Sequence, residues 1–492
     1  MALTEDDVAR IEALYRETFG GGGLKGDENL YGPALPANVP PGVTTVTAAL
    51  APVVSVSLND TQDLGNRPVN PFHLVRQVVY FNFRPATLGG SVAHSKSNTA
   101  FVVKPVPSGG GPSEFRQSMM PHPLVHQELP HDPQFGIYNR RLRSLEYGNV
   151  RAEDLYWRLR RQVGLAHTGE LATEIRGPDA ETMLDRVFTR DVSRLRVGRC
   201  SYQLACFADG GMIMDGILLR LEHDRFWYAQ GDGEFPVWLR AHSEGFDVEV
   251  FDANVWISQV QGPRSMDVLA QASDEGMPEH FRYFDLTQIR IGGQPVVISR
   301  TGFTGELGWE FYFGPDADAD VIGERILKAG EPHGIHTIPA AATNARRIEA
   351  GLLFVGTDFD DSVTPFVAGL GAFVDLEKAD FIGRTALAKA DKSRRTWGLQ
   401  CAGGVARHGD TLSLNGKSAG RVCSSAWSPY LQRGVAIVRL EDAKLGPGTK
   451  LRVECVDGRA RDGVVCELPM YDRAGDIPRG KCKDIPAIPG TG

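Results

Sequence analysis

Two carboxylates and a phenol stand in this chain where strand geometry would aim them inward. In Val296 to Phe313 (VVISRTGFTGELGWEFYF) a β-branched run leads into a turn punctuated by Gly302, Gly305 and Gly308, and Trp309-Glu310-Phe311-Tyr312-Phe313 follows at once. Glycine accepts positive φ at little cost, so the stretch reads as strand, wide turn, strand. Strand side chains alternate between faces. Trp309, Phe311 and Phe313 therefore share one face, while Glu310 and Tyr312 share the other, about 7 Å apart. A carboxylate in that position accepts adjacent N–H donors in a fork, a charge-assisted pairing that orients as well as holds. The plainer alternative is an edge hairpin with Glu310 in solvent. The second carboxylate, Asp215, lies in the middle of the apolar run Met212 to Leu221 (MIMDGILLRL). An unpaired buried carboxylate costs several kcal/mol. Asp215 thus needs either loop N–H groups to cap or a proton to handle.

The elements that must position these groups belong to a chain of 492 residues, long enough for two to four domains. With 42% hydrophobic and 23% charged residues it has an ordinary soluble composition. A net charge of −8 argues against a nucleic-acid partner. Seven scattered cysteines without a C-x-x-C pair argue for reduced thiols in a cytosol and against a disulfide frame or a zinc site. No metal is expected. The N-terminus MALTEDDVAR lacks an apolar core of the signal-peptide kind, and Val43 to Leu58 is too short and polar to span a bilayer. A cytoplasmic location with no membrane partner is the expectation.

Asp6 to Phe19 has helical spacing. Gly21 to Gly26 matches G-x-G-x-x-G but follows no strand, so it is set aside as a dinucleotide site. Leu74 to Phe83 reads as a strand, and Pro33 to Pro41 and Ser108 to Pro112 read as loops. Residues 1–134 form an extension of unassigned role: an accessory layer, an oligomerisation arm or partly disordered chain. Beyond it, helices are predicted over Ala152 to Val163, Ala180 to Phe188, Phe235 to Ser243 and Pro339 to Leu353. Arg151, Arg158, Arg160 and Arg161 are read as a solvated face. Short strands alternating with turns from Thr396 to Leu468 predict a small β-barrel or sandwich. The tail from Gly480 is expected to lack order. The fold class is α+β.

Arg300-Thr-Gly-Phe-Thr-Gly-Glu-Leu-Gly-Trp-Glu310 resembles R-T-G-Y-T-G-E-x-G-[FY]-E, the signature of the glycine-cleavage T-protein family of tetrahydrofolate-dependent aminomethyl- and methyltransferases. The resemblance runs from about Phe135 to about Tyr471. It implies a multi-domain cloverleaf. Its parts are a folate-binding core of two intertwined subdomains over 135–390, a C-terminal β-barrel over 391–480 and a tail over 481–492. Tetrahydrofolate is the implied cofactor. Glu310 matches the family's pterin-binding glutamate, and a reduced pterin presents a 2-amino group beside a ring N–H. Asp215 matches the catalytic aspartate of G-G-x-I-x-D. Tyr202 and Tyr283 fall where the family sets aromatics beside the pterin, and Gln230 falls near its folate-holding asparagine. Phe303 replaces the tyrosine of T-G-Y-T-G, and Arg347 stands in R-[LI]-E-A. Trp427, in Ser424 to Tyr430, resembles the loop over the folate.

Other matches point to one branch of the family. Gly169-Glu170, in place of the usual S-H, and Gly198-Arg-Cys-Ser-Tyr202 resemble the dimethylsulfoniopropionate demethylases. Tyr312 matches a tyrosine that those enzymes set against substrate. Thr343 stands where the aminomethyltransferases carry the arginine of G-x-R-D. The implied reaction moves a methyl group from an onium or methoxy donor to N5 of tetrahydrofolate. Asp215 and Tyr312 act in catalysis, and Phe226, Trp227 and Tyr228 offer aromatic faces to a cation. The alternatives are an aminomethyltransferase with a docking surface for a lipoyl carrier, an aromatic O-demethylase, and a folate binder without turnover. A small methyl donor is the expected partner. A homo-oligomer stays open.

Overall fold

The computed structural model describes residues 120–482 and 484–489. The helix, strand, loop and glycine-rich readings made for the first 119 residues lie outside the described residues. The chain divides into two compact units. One holds the described residues up to Arg151 together with His167–Gly169. In it β1 (Met120–Pro121), β2 (Pro133–Tyr138) and β3 (Arg141–Tyr147) form a small sheet in the order β1-β3-β2. Beneath it the Tyr147 hydroxyl donates to buried Glu128 at 2.9 Å.

The other unit, Ala152–Ala166 with Glu170 onward, is built on two sheets and a barrel. The larger sheet draws β4 (Val163–His167), β10 (Trp256–Gln261), β11 (Leu286–Ile291), β12 (Gln294–Ser299), β13 (Gly308–Phe313) and β14 (Ile335–Thr337) into the order β11-β12-β13-β10-β4-β14. The turn expected after Ile298 is therefore a true hairpin, but not an edge one. β13 lies between β12 and β10, and each of its residues is buried. Its aromatic face is held by helix α4 (Ser265–Ala272), where the Trp309 indole N–H donates to the Ser265 carbonyl at 2.9 Å. The motif's glycines have a specific job. A Cβ on Gly302 or Gly308 would lie 2.2 or 2.4 Å from the Gln261 amide, which fills the space between them and donates to the Thr301 carbonyl at 3.0 Å.

The second sheet runs β6-β7-β8-β5-β9, from β5 (Leu171–Arg176), β6 (Arg199–Cys206), β7 (Met212–Glu222), β8 (Arg225–Gln230) and β9 (Glu249–Asp252). One face packs under helices α2 (Ala180–Val187) and α3 (Phe235–Ala241), with Met183, Leu184, Phe226, Tyr228 and Phe235 in the core. The opposite face sets Ala172, Leu219 and Trp227 against Ile257, Leu286 and Tyr312 of the larger sheet. The six strands from Thr396–Cys401 to Ala460–Cys466 close into a barrel.

Two sequence expectations need correction. Arg160, on helix α1 (Ala152–Arg161), is buried rather than solvated: its guanidinium meets Glu306 at 2.5 Å and lies over the Tyr430 ring at 5.0 Å. A cation is stable there because Glu306 is buried too and also binds Arg346 at 2.6 Å. The tail is not loose from Gly480. The Lys481 amide donates to the Asp476 carbonyl at 2.8 Å, and Ile488 packs on the cluster of Tyr156 and Trp157.

Candidate functional site

The register of three strands builds a polar cage around Glu310. Gln259 on β10 and Ser299 on β12 stand directly across from it, so their side chains share its face. The Gln259 amide donates to Glu310 Oε1 at 2.7 Å, while its Oε1 accepts from the Phe303 backbone N–H at 3.5 Å. Tyr312, two residues on, donates to Oε2 at 3.1 Å, and the Thr301 hydroxyl donates to the same oxygen. Ser299 Oγ lies 2.5 Å from Thr301 Oγ1 and 3.3 Å from the Tyr312 hydroxyl.

Glu310 is only 7% exposed. Burial pushes its carboxyl from 4.5 up to about 7 and the nearby Glu170 charge adds to the rise, against the pull of these hydrogen bonds. Burial and Glu310 together push the Tyr312 phenol well above its usual value, so it is a hydrogen-bond donor at neutral pH. The cage uses three of a carboxylate's roughly four acceptor positions. The remaining acceptor position can take an N–H donor.

Asp215 projects from the face of β7 that carries Ile217 and Leu219, the face turned toward the sheet of Glu310. Its carboxylate accepts from the Tyr202 hydroxyl at 2.6 Å. Burial raises the Asp215 carboxyl to about 6 and the charge of Asp358 adds to this, while the Tyr202 hydrogen bond opposes it. Asp215 still keeps some surface open to solvent. Next to it in register, opposite Gly216, is Gln230. The Gln230 Nε2 donates to the Gly233 carbonyl at 3.0 Å, but its buried Oε1 has no partner. Alternation puts the Gln230 side chain on the face of β8 that carries Phe226 and Tyr228, opposite to the face of Asp215, so it is not brought into the site with Asp215.

The other predicted residues divide. Tyr283 is half-buried, and Glu310's charge reaches its phenol and raises it further after burial. The Phe303 ring is half-buried in the turn, 6.4 Å from Phe354. Trp227 lies beside Tyr312, ring centres 5.9 Å apart, with its indole N–H donated to Glu174 at 2.8 Å.

Three expectations are corrected by geometry. Phe226 and Tyr228 point to the opposite face of β8, into the core under α2 and α3, because neighbours of Trp227 in a strand must. Arg347 on the helix Ala340–Glu349 spends its guanidinium on Asp358, on Ser424 at 2.7 Å and on Asn344 at 2.9 Å. It braces the helix to barrel strand Lys417–Ser428 rather than facing a ligand. Trp427 on that strand is 38% exposed, opposite Gly434. Sequence reading passed over Gln259, Ser299 and Thr301, although the polar residues interrupting the apolar β10 run (Trp256–Gln261) were a usable signal. Among the described residues no group of three or more His, Cys, Asp or Glu is placed to hold a metal. No described helix is long and apolar enough to cross a membrane.

Comparison with known proteins places the chain in a family. A family model described as the GCVT N-terminal domain matches residues 134–378, and one described as the glycine cleavage T-protein C-terminal barrel domain matches residues 394–472. The chain is 36% identical over 324 residues to a trimethylamine-oxide aldolase of Ruegeria pomeroyi, covering 62% of this chain but 41% of the aldolase, less than half of that relative's length. It is 33% identical over 323 residues to an aminomethyltransferase of Halothermothrix orenii, covering 63% of this chain and 89% of the relative. The crystal structure of the glycine cleavage system aminomethyltransferase T from Bartonella henselae superposes with a TM-score of 0.66 at 26% identity, covering 72% of this chain and 99% of that one.

Proposed function

The chain belongs to the glycine-cleavage T-protein family, and from that premise we propose that it is a tetrahydrofolate-dependent methyltransferase drawing its methyl group from a small onium or methylated-amine donor. The observation that carries the folate reading is Glu310: a buried carboxylate raised to about 7, caged on three sides and with acceptor capacity left over. Tetrahydrofolate supplies the ring nitrogen that takes up the one-carbon unit. Glu310 accepts the ring's paired N–H donors, and pairing favours its ionised form. Asp215 has a carboxyl near 6, so at neutral pH it is ionised and able to receive a proton. Tyr202 holds it in place. Trp227 and Tyr312 give the donor an aromatic wall suited to a positively charged methyl carrier. Most of the acceleration would come from holding two reactants in line.

Two observations favour methyl over aminomethyl transfer. Thr343, which replaces the aminomethyltransferases' arginine, turns its hydroxyl onto the Ala340 carbonyl at 2.9 Å and offers no cation. A relative at 36% identity is named for a methylated amine oxide. The aminomethyl reading rests on the relatives that carry that name. A donor screen with tetrahydrofolate, scored by mass, separates the two. 5-Methyltetrahydrofolate from an onium or methylated-amine donor supports the proposal. Only 5,10-methylenetetrahydrofolate, formed from an aminomethyl carrier, overturns it.

A further inference from the structure

Both rings of the aromatic wall give their polar hydrogen to a buried carboxylate. The Tyr312 hydroxyl donates to Glu310 at 3.1 Å, and the Trp227 indole N–H donates to Glu174 Oε2 at 2.8 Å. The two ring centres are 5.9 Å apart. Glu310 belongs to the site already described, and Glu174 is additional to it.

Register brings Glu174 to this place. It lies directly across from Trp227 in the pairing of β5 with β8. Ala172, two residues earlier on β5, packs with Trp227 against Tyr312 of the larger sheet, so alternation turns Glu174 to the same face. Only 4% of Glu174 is exposed. Arg225 holds it as well, with Nε donating to Oε1 at 2.9 Å and Nη2 to Oε2 at 3.1 Å.

Holding an indole N–H needs only a neutral acceptor, and the Ser265 carbonyl does this for Trp309 at 2.9 Å. A buried carboxylate is the costlier choice. It adds what a neutral acceptor lacks. Its charge, drawn up to the N–H, makes the face of the ring more negative, and that face is what attracts a cation. Arg225 opposes this field, its guanidinium carbon 5.8 Å from the Trp227 ring centre. Its side chain is 37% exposed, however, and is shared with Glu222 at 3.2 Å, so solvent screens it more than it screens Glu174.

We propose that Glu174 is a positioning residue that fixes the Trp227 ring and makes the wall of Trp227 and Tyr312 select a positively charged methyl carrier over a neutral one of the same shape. The inference rests on the donor reading above and narrows it to cationic donors.

The full chain, with saturating tetrahydrofolate, is titrated with tetramethylammonium and with tert-butanol, a neutral molecule of nearly the same size, and followed by ligand-observed NMR. The proteins are the wild type, E174Q, R225Q and E249Q, the last removing an exposed charge from β9 of the same sheet. The wild type should bind the cation about tenfold more tightly than the alcohol. A glutamine carbonyl still accepts from the indole N–H, so E174Q should bind the alcohol as before while losing most of the preference. R225Q removes the opposing charge and should raise the preference, and E249Q should leave it unchanged. A carboxylate that only staples β5 to β8 would behave otherwise: E174Q and R225Q would weaken both ligands alike, and that result overturns the inference. So do equal binding of the two ligands by the wild type, binding of neither, and a preference that survives in E174Q. If E174Q does not fold, R225Q decides, and a preference no higher than that of the wild type overturns the inference. The donor reading is judged apart from these results, by the mass-scored screen. 5-Methyltetrahydrofolate formed from an onium donor, with the cation preference equal in wild type and E174Q, keeps the function and removes the inference.

Discussion

Replacing Glu310 by glutamine should stabilise the unliganded protein and impair its binding, in opposite directions on one side chain. Burial holds the Glu310 carboxyl at about 7 where an unfolded chain would have about 4.5. Below 4.5 both states are protonated and the group has no effect. Between 4.5 and 7 the unfolded chain releases the proton and the folded one keeps it, so stability falls as pH rises. Above 7 the full penalty is present. At about 1.4 kcal/mol per unit it amounts to about 3 kcal/mol. Glutamine carries no such penalty, yet its carbonyl can still accept from Thr301 and Tyr312. The gap between variant and wild type should be near zero at pH 4.5 and grow to about 3 kcal/mol by pH 8. Scanning calorimetry across that range reads it, and the titration of Glu128, also raised to about 7, cancels between the two proteins. Tetrahydrofolate affinity should fall by about 3 kcal/mol, on the order of a hundredfold, because a neutral amide cannot accept the paired donors as a carboxylate does. A variant less stable at pH 8 than the wild type, with affinity unchanged, would refute the reasoning.

Tyr202→Phe removes the donor at 2.6 Å that opposes the rise of Asp215. The acidic limb of the pH–rate profile should move above about 6, with little change in folate affinity; an unmoved limb would detach Asp215 from the proton step. Glu306→Gln leaves Arg160 and Arg346 buried without their shared carboxylate, and should cost about 3–5 kcal/mol in thermal stability. A loss under about 1 kcal/mol would mean that Tyr471 and Glu349 suffice for the pair.

Local pattern carried part of this fold in legible form. Alternation alone separated Glu310 and Tyr312 from the three aromatics of β13, and an acid inside an apolar strand marked Asp215. What stayed hidden is non-local. Gln259 and Ser299 reach Glu310 only through a register across β10 and β12, which no single stretch of sequence specifies. The same alternation that separates Trp227 from Tyr228 was available, but which face would meet the larger sheet depends on where α2 and α3 pack. Arg160 and Arg347 read as ordinary helix arginines because their partners, Glu306 and Asp358, lie elsewhere in the chain.

The most direct measurement of whether Glu310 seats the pterin is proton release on tetrahydrofolate binding, taken by calorimetry in buffers of different ionisation enthalpy. With its carboxyl at about 7, the wild type should release close to one proton more than Glu310→Gln at pH about 6, and the difference should vanish above pH about 8. Equal proton release from the two proteins at every pH would contradict the account.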